Sequence, residues 1–190
     1  MKSSTIIKSL LALSLSLSLL TLSANAQKAF DKTVTLEKVS FRIQCANDSS
    51  LNKVKITPKG LADDKAITVE AEGAVTAVEI DDLNNDGFPE IYIAITSAGS
   101  GSYGSLIAYA SNKNKSITPI YMPELTKEQM KGYMGHDEFA PVEGVLVRNF
   151  PVYKDGDSNA KPTGKTRQIQ YHLKAGEAGW KFVHSKTFDF

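Results

Sequence analysis

The chain has 190 residues, 22 Lys+Arg against 21 Asp+Glu, a formal net charge of +1 and 42% hydrophobic residues. That balance leaves no electrostatic footprint for nucleic acid or an anionic lipid surface, and the length suffices for one domain with its own core. The single cysteine, Cys45, cannot form an internal disulfide. At the end of an alternating apolar pattern it reads as a buried thiol, the other reading being an intermolecular bridge.

Lys2 and Lys8 give the chain a basic start, an apolar run interleaved with Ser and Thr fills residues 10–22, and Ala24-Asn25-Ala26 is a small-x-small cleavage pattern. The apolar run is shorter than the roughly 20 residues of a membrane span. A secretory signal peptide over residues 1–26 is therefore expected, cut after Ala26. The mature chain, residues 27–190, is expected to be a single periplasmic domain with no membrane attachment. Next, Val39, Phe41, Ile43 and Cys45 alternate with Ser40, Arg42 and Gln44. Val54 and Ile56 alternate with lysines, and Ile67, Val69 and Ala71 with Thr68 and Glu70. Alternation of period two predicts strands with one wet face.

Residues 82–90, DLNNDGFPE, break this pattern. Asp82, Asn84 and Asp86 have the D-x-N-x-D-G spacing that gathers side-chain oxygens around a hard cation, with Gly87 at the sharp turn, the Phe88 carbonyl pointing inward and Glu90 placed to complete the shell. Ile93 stands at the twelfth position, where an EF-hand has glutamate, so a shorter calcium loop is the expectation. The other reading is an Asp-Gly turn between two strands that needs no metal.

Ile91, Ile93 and Ile95 then share one face, opposite Tyr92, Ala94 and Thr96, and lead into residues 97–105, SAGSGSYGS. GSGSYG formally matches G-x-G-x-x-G, but a phosphate cradle needs a helix directly after the glycines. Residues 106–110, LIAYA, are β-like and carry no capping residue, so a hairpin loop is predicted. Its Tyr103 either projects with the serines toward a partner or packs on the sheet. Only residues 123–132 read as helical, with Thr126 as cap, Gln129 at the capping-box position and Gly132 as the stop. Residues 154–165 are polar turn formers and predict an exposed loop. Ile169, Tyr171 and Leu173, then Trp180 and Phe182, supply the last alternating runs.

His136, His172 and His184 are scattered without metal spacing, H-E-x-x-H and G-x-S-x-G are absent, and the adjacent Asp137 and Glu138 point apart in an extended chain. No catalytic set is assembled, and a non-enzymatic protein is expected. Roughly nine strands and one short helix predict an all-β fold, an antiparallel β-sandwich or flattened barrel.

Ser100-Gly101-Ser102-Tyr103 resembles the S-G-x-Y motif of exported bacterial lysozyme inhibitors, in particular the periplasmic inhibitors of I-type lysozyme. The blocks 82–110, 142–153 and 167–182 also look like sequence of that family, whereas residues 27–75 are generic. The resemblance implies a β-sandwich without catalysis whose S-G-x-Y loop enters the lysozyme cleft. Ser100 would donate its hydroxyl to a catalytic carboxylate, Gly101 would allow the turn, and Tyr103 would fill or hydrogen-bond within the cleft. It also implies lysozyme as protein partner, homodimer formation as an option and no required cofactor. A calcium-stabilised exported β-module with an unrelated envelope or adhesion role is the alternative.

Overall fold

The structure is a computed structural model that describes residues 28–99 and 101–190. The expected signal peptide thus lies outside the described residues, as does Ser100. Two sheets form. The first is antiparallel and four-stranded, in the order β1 (Phe30–Leu36), β2 (Val39–Cys45), β3 (Leu51–Lys59), β4 (Ile67–Glu72). The second begins with β5 (Ala74–Asp81), β6 (Glu90–Thr96), β7 (Gly104–Ser111) and β8 (Ile117–Tyr121). It continues through β12 (Gly179–Asp189), β11 (Thr166–Gly176), β10 (Val145–Pro151) and β9 (Glu138–Val142).

The second sheet curls until β9 comes back beside β5 and β6, which makes it nearly closed and barrel-like. Its seam is one parallel pairing, Trp180 with Ile120 and Lys181 with Tyr121. All-β architecture is as expected, and of the two expected forms the curled sheet is closer to the flattened barrel; the all-antiparallel expectation is corrected to an antiparallel sheet packed on a mixed one.

Two cores result. Phe41, Ile43, Val54 and Ile56 of the first sheet bury against Val75, Val78, Ile91, Ile93, Ile95 and Tyr109 of the second. Tyr92, Ala108, Ala110, Ile120, Leu146, Phe150, Tyr171 and Phe182 fill the inside of the curled sheet. β6 lies between the two, so Glu90, Ile91, Tyr92, Ile93 and Ile95 are buried, with Ala94 and Thr96 partly covered. A wet face was the expectation there, because alternation reports which residues share a side but not what covers it. A bulge at Thr76, between the pairs Val75–Ile95 and Ala77–Ala94, turns both Val75 and Val78 inward although they are three apart. Cys45 is a buried thiol, which removes it from reach of a second chain.

The expected helix over residues 123–132 is a single turn. Its capping box does form: Thr126 Oγ1 accepts the Gln129 amide at 3.3 Å, and Gln129 Oε1 accepts the Thr126 amide at 2.9 Å. Elongation fails because Gly132 has φ 70° and because Arg167 Nη1 donates to the carbonyls of Gln129 (3.1 Å) and Lys131 (2.8 Å). One turn without followers cannot carry helix nucleation, so the turn persists only where the guanidinium and the sheet hold it.

Asn47 (φ 52°) stitches the two sheets. Its amide donates to the carbonyls of Val75 (3.0 Å) and Lys28 (3.2 Å), and its Oδ1 accepts the Val75 amide at 2.9 Å. Asn47→Ala leaves both polar groups of Val75 buried without these partners and is expected to lower unfolding free energy by about 2–4 kcal/mol. Urea denaturation checks this, and a loss within 0.5 kcal/mol, the range of ordinary surface substitutions, contradicts it.

Candidate functional site

The glycine-rich segment joins β6 to β7 as the tip of a hairpin. Ser97 anchors both ends: its amide donates to the Tyr103 carbonyl at 2.9 Å, and its Oγ accepts the Tyr103 amide at 3.0 Å. Ser102, at φ 43°, sends its carbonyl to the His136 amide at 3.1 Å. Tyr103 is 50% exposed, and its ring stands edge-on against Tyr133 at 5.5 Å. Tyr103 therefore packs by one side against Tyr133, while the rest of it faces water. Gly101 does more than permit a turn, since a Cβ there would sit 2.4 Å from the Tyr103 ring. A Cβ on Gly135 would strike the Gly101 carbonyl, so backbone meets backbone where the 132–137 segment supports the loop.

Beneath the loop lies a charged cluster that the sequence did not point to. Asp137 Oδ2 accepts the Gly104 amide at 2.7 Å and the Tyr133 hydroxyl, while Oδ1 accepts Arg148 Nε at 2.6 Å. The ion pair is buried, with side chains 9% (Arg148) and 0% (Asp137) exposed. Arg148 also stacks over the rings of Phe139 and Tyr133, 5.3 and 5.5 Å from their centroids. Burial, then the bond to Asp137, keeps the Tyr133 phenol protonated at any ordinary pH. Asp137 and Glu138 do point apart, Glu138 into solvent; the signal for Asp137 lay in a buried arginine on β10, which period-two reading cannot assign a partner. Around Tyr103 the surface continues through His136, whose Nε2 meets Asn159 Oδ1 at 3.3 Å, and Tyr153, which donates to the Asn159 carbonyl at 2.9 Å. Residues 154–165 form the expected exposed loop and supply Asn159.

The acidic loop occupies the other end of β6. Asp82 accepts the amides of Asp86 (3.0 Å) and Gly87 (2.8 Å), Asn84 Oδ1 accepts the Asp86 amide at 2.9 Å, and Asp86 Oδ1 accepts the Phe88 amide at 2.9 Å. Glu90 is 0% exposed. Its Oε2 accepts the Leu83 amide at 3.0 Å, and its Oε1 has no hydrogen-bond partner. The Tyr92 hydroxyl lies against it as the side-chain donor nearest to that carboxyl. Burial, against the pull of the Leu83 amide and with the charges of Asp86, Asp82 and Asp81 adding, pushes the Glu90 carboxyl up to about 8. Among the described residues no three His, Cys, Asp or Glu side chains converge on a metal-sized point.

A further cleft is lined by Glu128, Arg167, His184 and Asp189. Arg167 clamps Asp189 bidentately at 2.7 and 2.8 Å, and His184 is tied to Thr187 at 2.8 Å, an arrangement suited to joining the last strand to the 126–131 turn.

Comparisons with protein-family models, with curated proteins and with solved structures give no match.

Removing one member of a buried ion pair strands the other, so Asp137→Ala is expected to cost about 3–5 kcal/mol in chemical denaturation. Second, folding must keep on Glu90 a proton that the unfolded chain releases near pH 4.5. In chelator-containing buffer the stability of the wild type relative to Glu90→Gln is therefore full below pH 4.5 and falls as pH rises toward about 8. Thermal unfolding of both proteins across that range checks the slope; a pH-independent difference contradicts it.

Proposed function

We propose that this protein is an exported, non-catalytic inhibitor of lysozyme, with the I-type enzyme as first target, and that it acts by lodging the 100–103 loop in the lysozyme cleft. Supporting this reading is the S-G-x-Y resemblance of Ser100-Gly101-Ser102-Tyr103 and the blocks around it. The observation that carries it is the setting of Tyr103, a half-exposed ring on a hairpin tip that is anchored at its base by Ser97 and backed by Tyr133 and Gly135. A ring held in place before binding loses little entropy on docking, and tyrosine brings large rigid area with a polar end.

In this reading Ser100 donates a hydrogen bond to a carboxylate of the lysozyme, Gly101 leaves room for the Tyr103 ring, and Tyr103 occupies the cleft. A glycosidase works with two carboxylates flanking the scissile bond, so a donor aimed at one of them, together with an inserted ring, excludes the polysaccharide. His136 and Asn159, beside Tyr103, extend the contact surface. Residues 1–26 serve as a cleaved export signal, which places the inhibitor in the periplasm, between the cell wall and any incoming enzyme.

Purified protein is expected to slow lysis of cell-wall substrate by I-type lysozyme. Ser100→Ala combined with Tyr103→Ala weakens inhibition about tenfold to a hundredfold, as loss of a charge-assisted hydrogen bond worth about 1.5–3 kcal/mol requires. Unslowed lysis by I-type, chicken-type and goose-type enzymes alike overturns the reading.

A further inference from the structure

The outer face of the curled sheet over β8, β12 and β11 is open to solvent and uneven in charge. Cross-strand register puts Tyr121, Lys181 and Lys174 in one row. Further along β12 come Val183 beside His172, Lys186 beside Gln170, and Phe188 beside Gln168. The alternating neighbours Ile169, Leu173 and Phe182 are buried in the interior, so these rows point outward. Phe190 ends the series, its ring 6.2 Å from that of Phe188. Of the eight large apolar side chains exposed among the described residues, four stand here: Tyr121 (64%), Val183 (39%), Phe188 (43%) and Phe190 (61%).

Lys174 and Lys181 are direct cross-strand partners, and like charges so placed cost stability. Among the described residues neither they nor Lys186 forms an ion pair. Glu177, in the β11–β12 turn, is the only acid between residues 166 and 188. Asp189 is clamped by Arg167. The chain's balance of 22 Lys+Arg against 21 Asp+Glu conceals this local excess.

We propose that this face docks on an anionic phospholipid surface. Lys174, Lys181 and Lys186 meet lipid phosphates, while Tyr121, Phe188 and Phe190 enter the headgroup layer. Charge complementarity selects the occupant. A second copy applied by the same face sets lysine against lysine. An acidic protein answers the lysines, but it must also offer apolar hollows to rings roughly 25–30 Å apart, the length of this stretch of strand. A lipid interface presents phosphate and hydrocarbon together along the whole of that length. Lysine stems let the ammonium groups stay among phosphates while the rings go deeper. None of the residues 100–103 takes part, so this surface is independent of the lysozyme reading.

The test is co-sedimentation of residues 27–190, which contain both cores, with large unilamellar vesicles. Phosphatidylcholine vesicles containing phosphatidylglycerol are expected to retain the protein at low salt, and pure phosphatidylcholine to leave it in solution. Added salt weakens retention by screening. A lysine near a charged bilayer is worth about a fivefold change in partitioning, so Lys174→Gln, Lys181→Gln and Lys186→Gln together reduce retention about a hundredfold. Phe188→Ser with Phe190→Ser reduces it about tenfold or more, since two rings no longer leave water. Lys53→Gln, Lys55→Gln and Lys59→Gln together remove the same charge from exposed positions on β3 and keep most of the retention. All replaced side chains are exposed, so each variant is expected to melt with the wild type. No retention on anionic vesicles, equal retention on neutral ones, or equal losses in the two triple variants overturns the proposal. Binding to soluble polyglutamate in place of vesicles overturns it too and assigns the face to an acidic protein.

Discussion

Because β6 presents Ile91, Ile93 and Ile95 to the four-stranded sheet and Tyr92 to the interior of the curled one, most of its length is covered on both faces, and the rest of the molecule is arranged around that. A strand buried on both sides is held in one register by packing from two directions. Both segments with chemical interest emerge from its ends: the acidic loop enters at Glu90, and the glycine-rich tip leaves after Thr96. Both loops are therefore rooted on a strand held by packing from two sides, without either carrying an apolar core of its own. It also explains why Glu90 is anomalous. It is the one charged residue of that strand, paired with Asp81 at the point where the chain passes from loop to core.

The hairpin tip draws its order from a second source. Asp137 reaches across to the Gly104 amide, and Arg148, caged by aromatic rings, holds Asp137 in turn. A buried ion pair is a poor source of net stability, since desolvation offsets most of its attraction. What it supplies here is position. With all three of its polar directions specified, Asp137 fixes where β7 begins and so where Tyr103 stands. The close approaches at Gly101, Gly104 and Gly135 follow from the same crowding, and only residues without a Cβ fit it.

Strand segments were legible from alternation wherever one face met water, as in β2 and β3, where Val39, Phe41, Ile43, Val54 and Ile56 are buried as the pattern requires. The absence of a phosphate-binding helix after the glycines was equally legible, and β7 stands there. Less was readable of the second sheet. The parallel seam between β8 and β12 joins segments nearly sixty residues apart, which no local pattern encodes. The 126–131 turn shows the limit in the other direction: its capping chemistry was correct, yet Arg167 and Gly132 decided its length.

By itself the sequence determined what depends on neighbours along the chain: period-two strands, turn-forming glycines, the D-x-N-x-D-G spacing and the S-G-x-Y string. These are short-range consequences of backbone geometry and side-chain type. Only the tertiary structure decided that β6 is covered on both sides along most of its length, that Glu90 is buried against Tyr92, and that Asp137 and Arg148 meet beneath Tyr103. Burial and pairing depend on which distant strand arrives to exclude water, and that is settled by closure of the whole sheet.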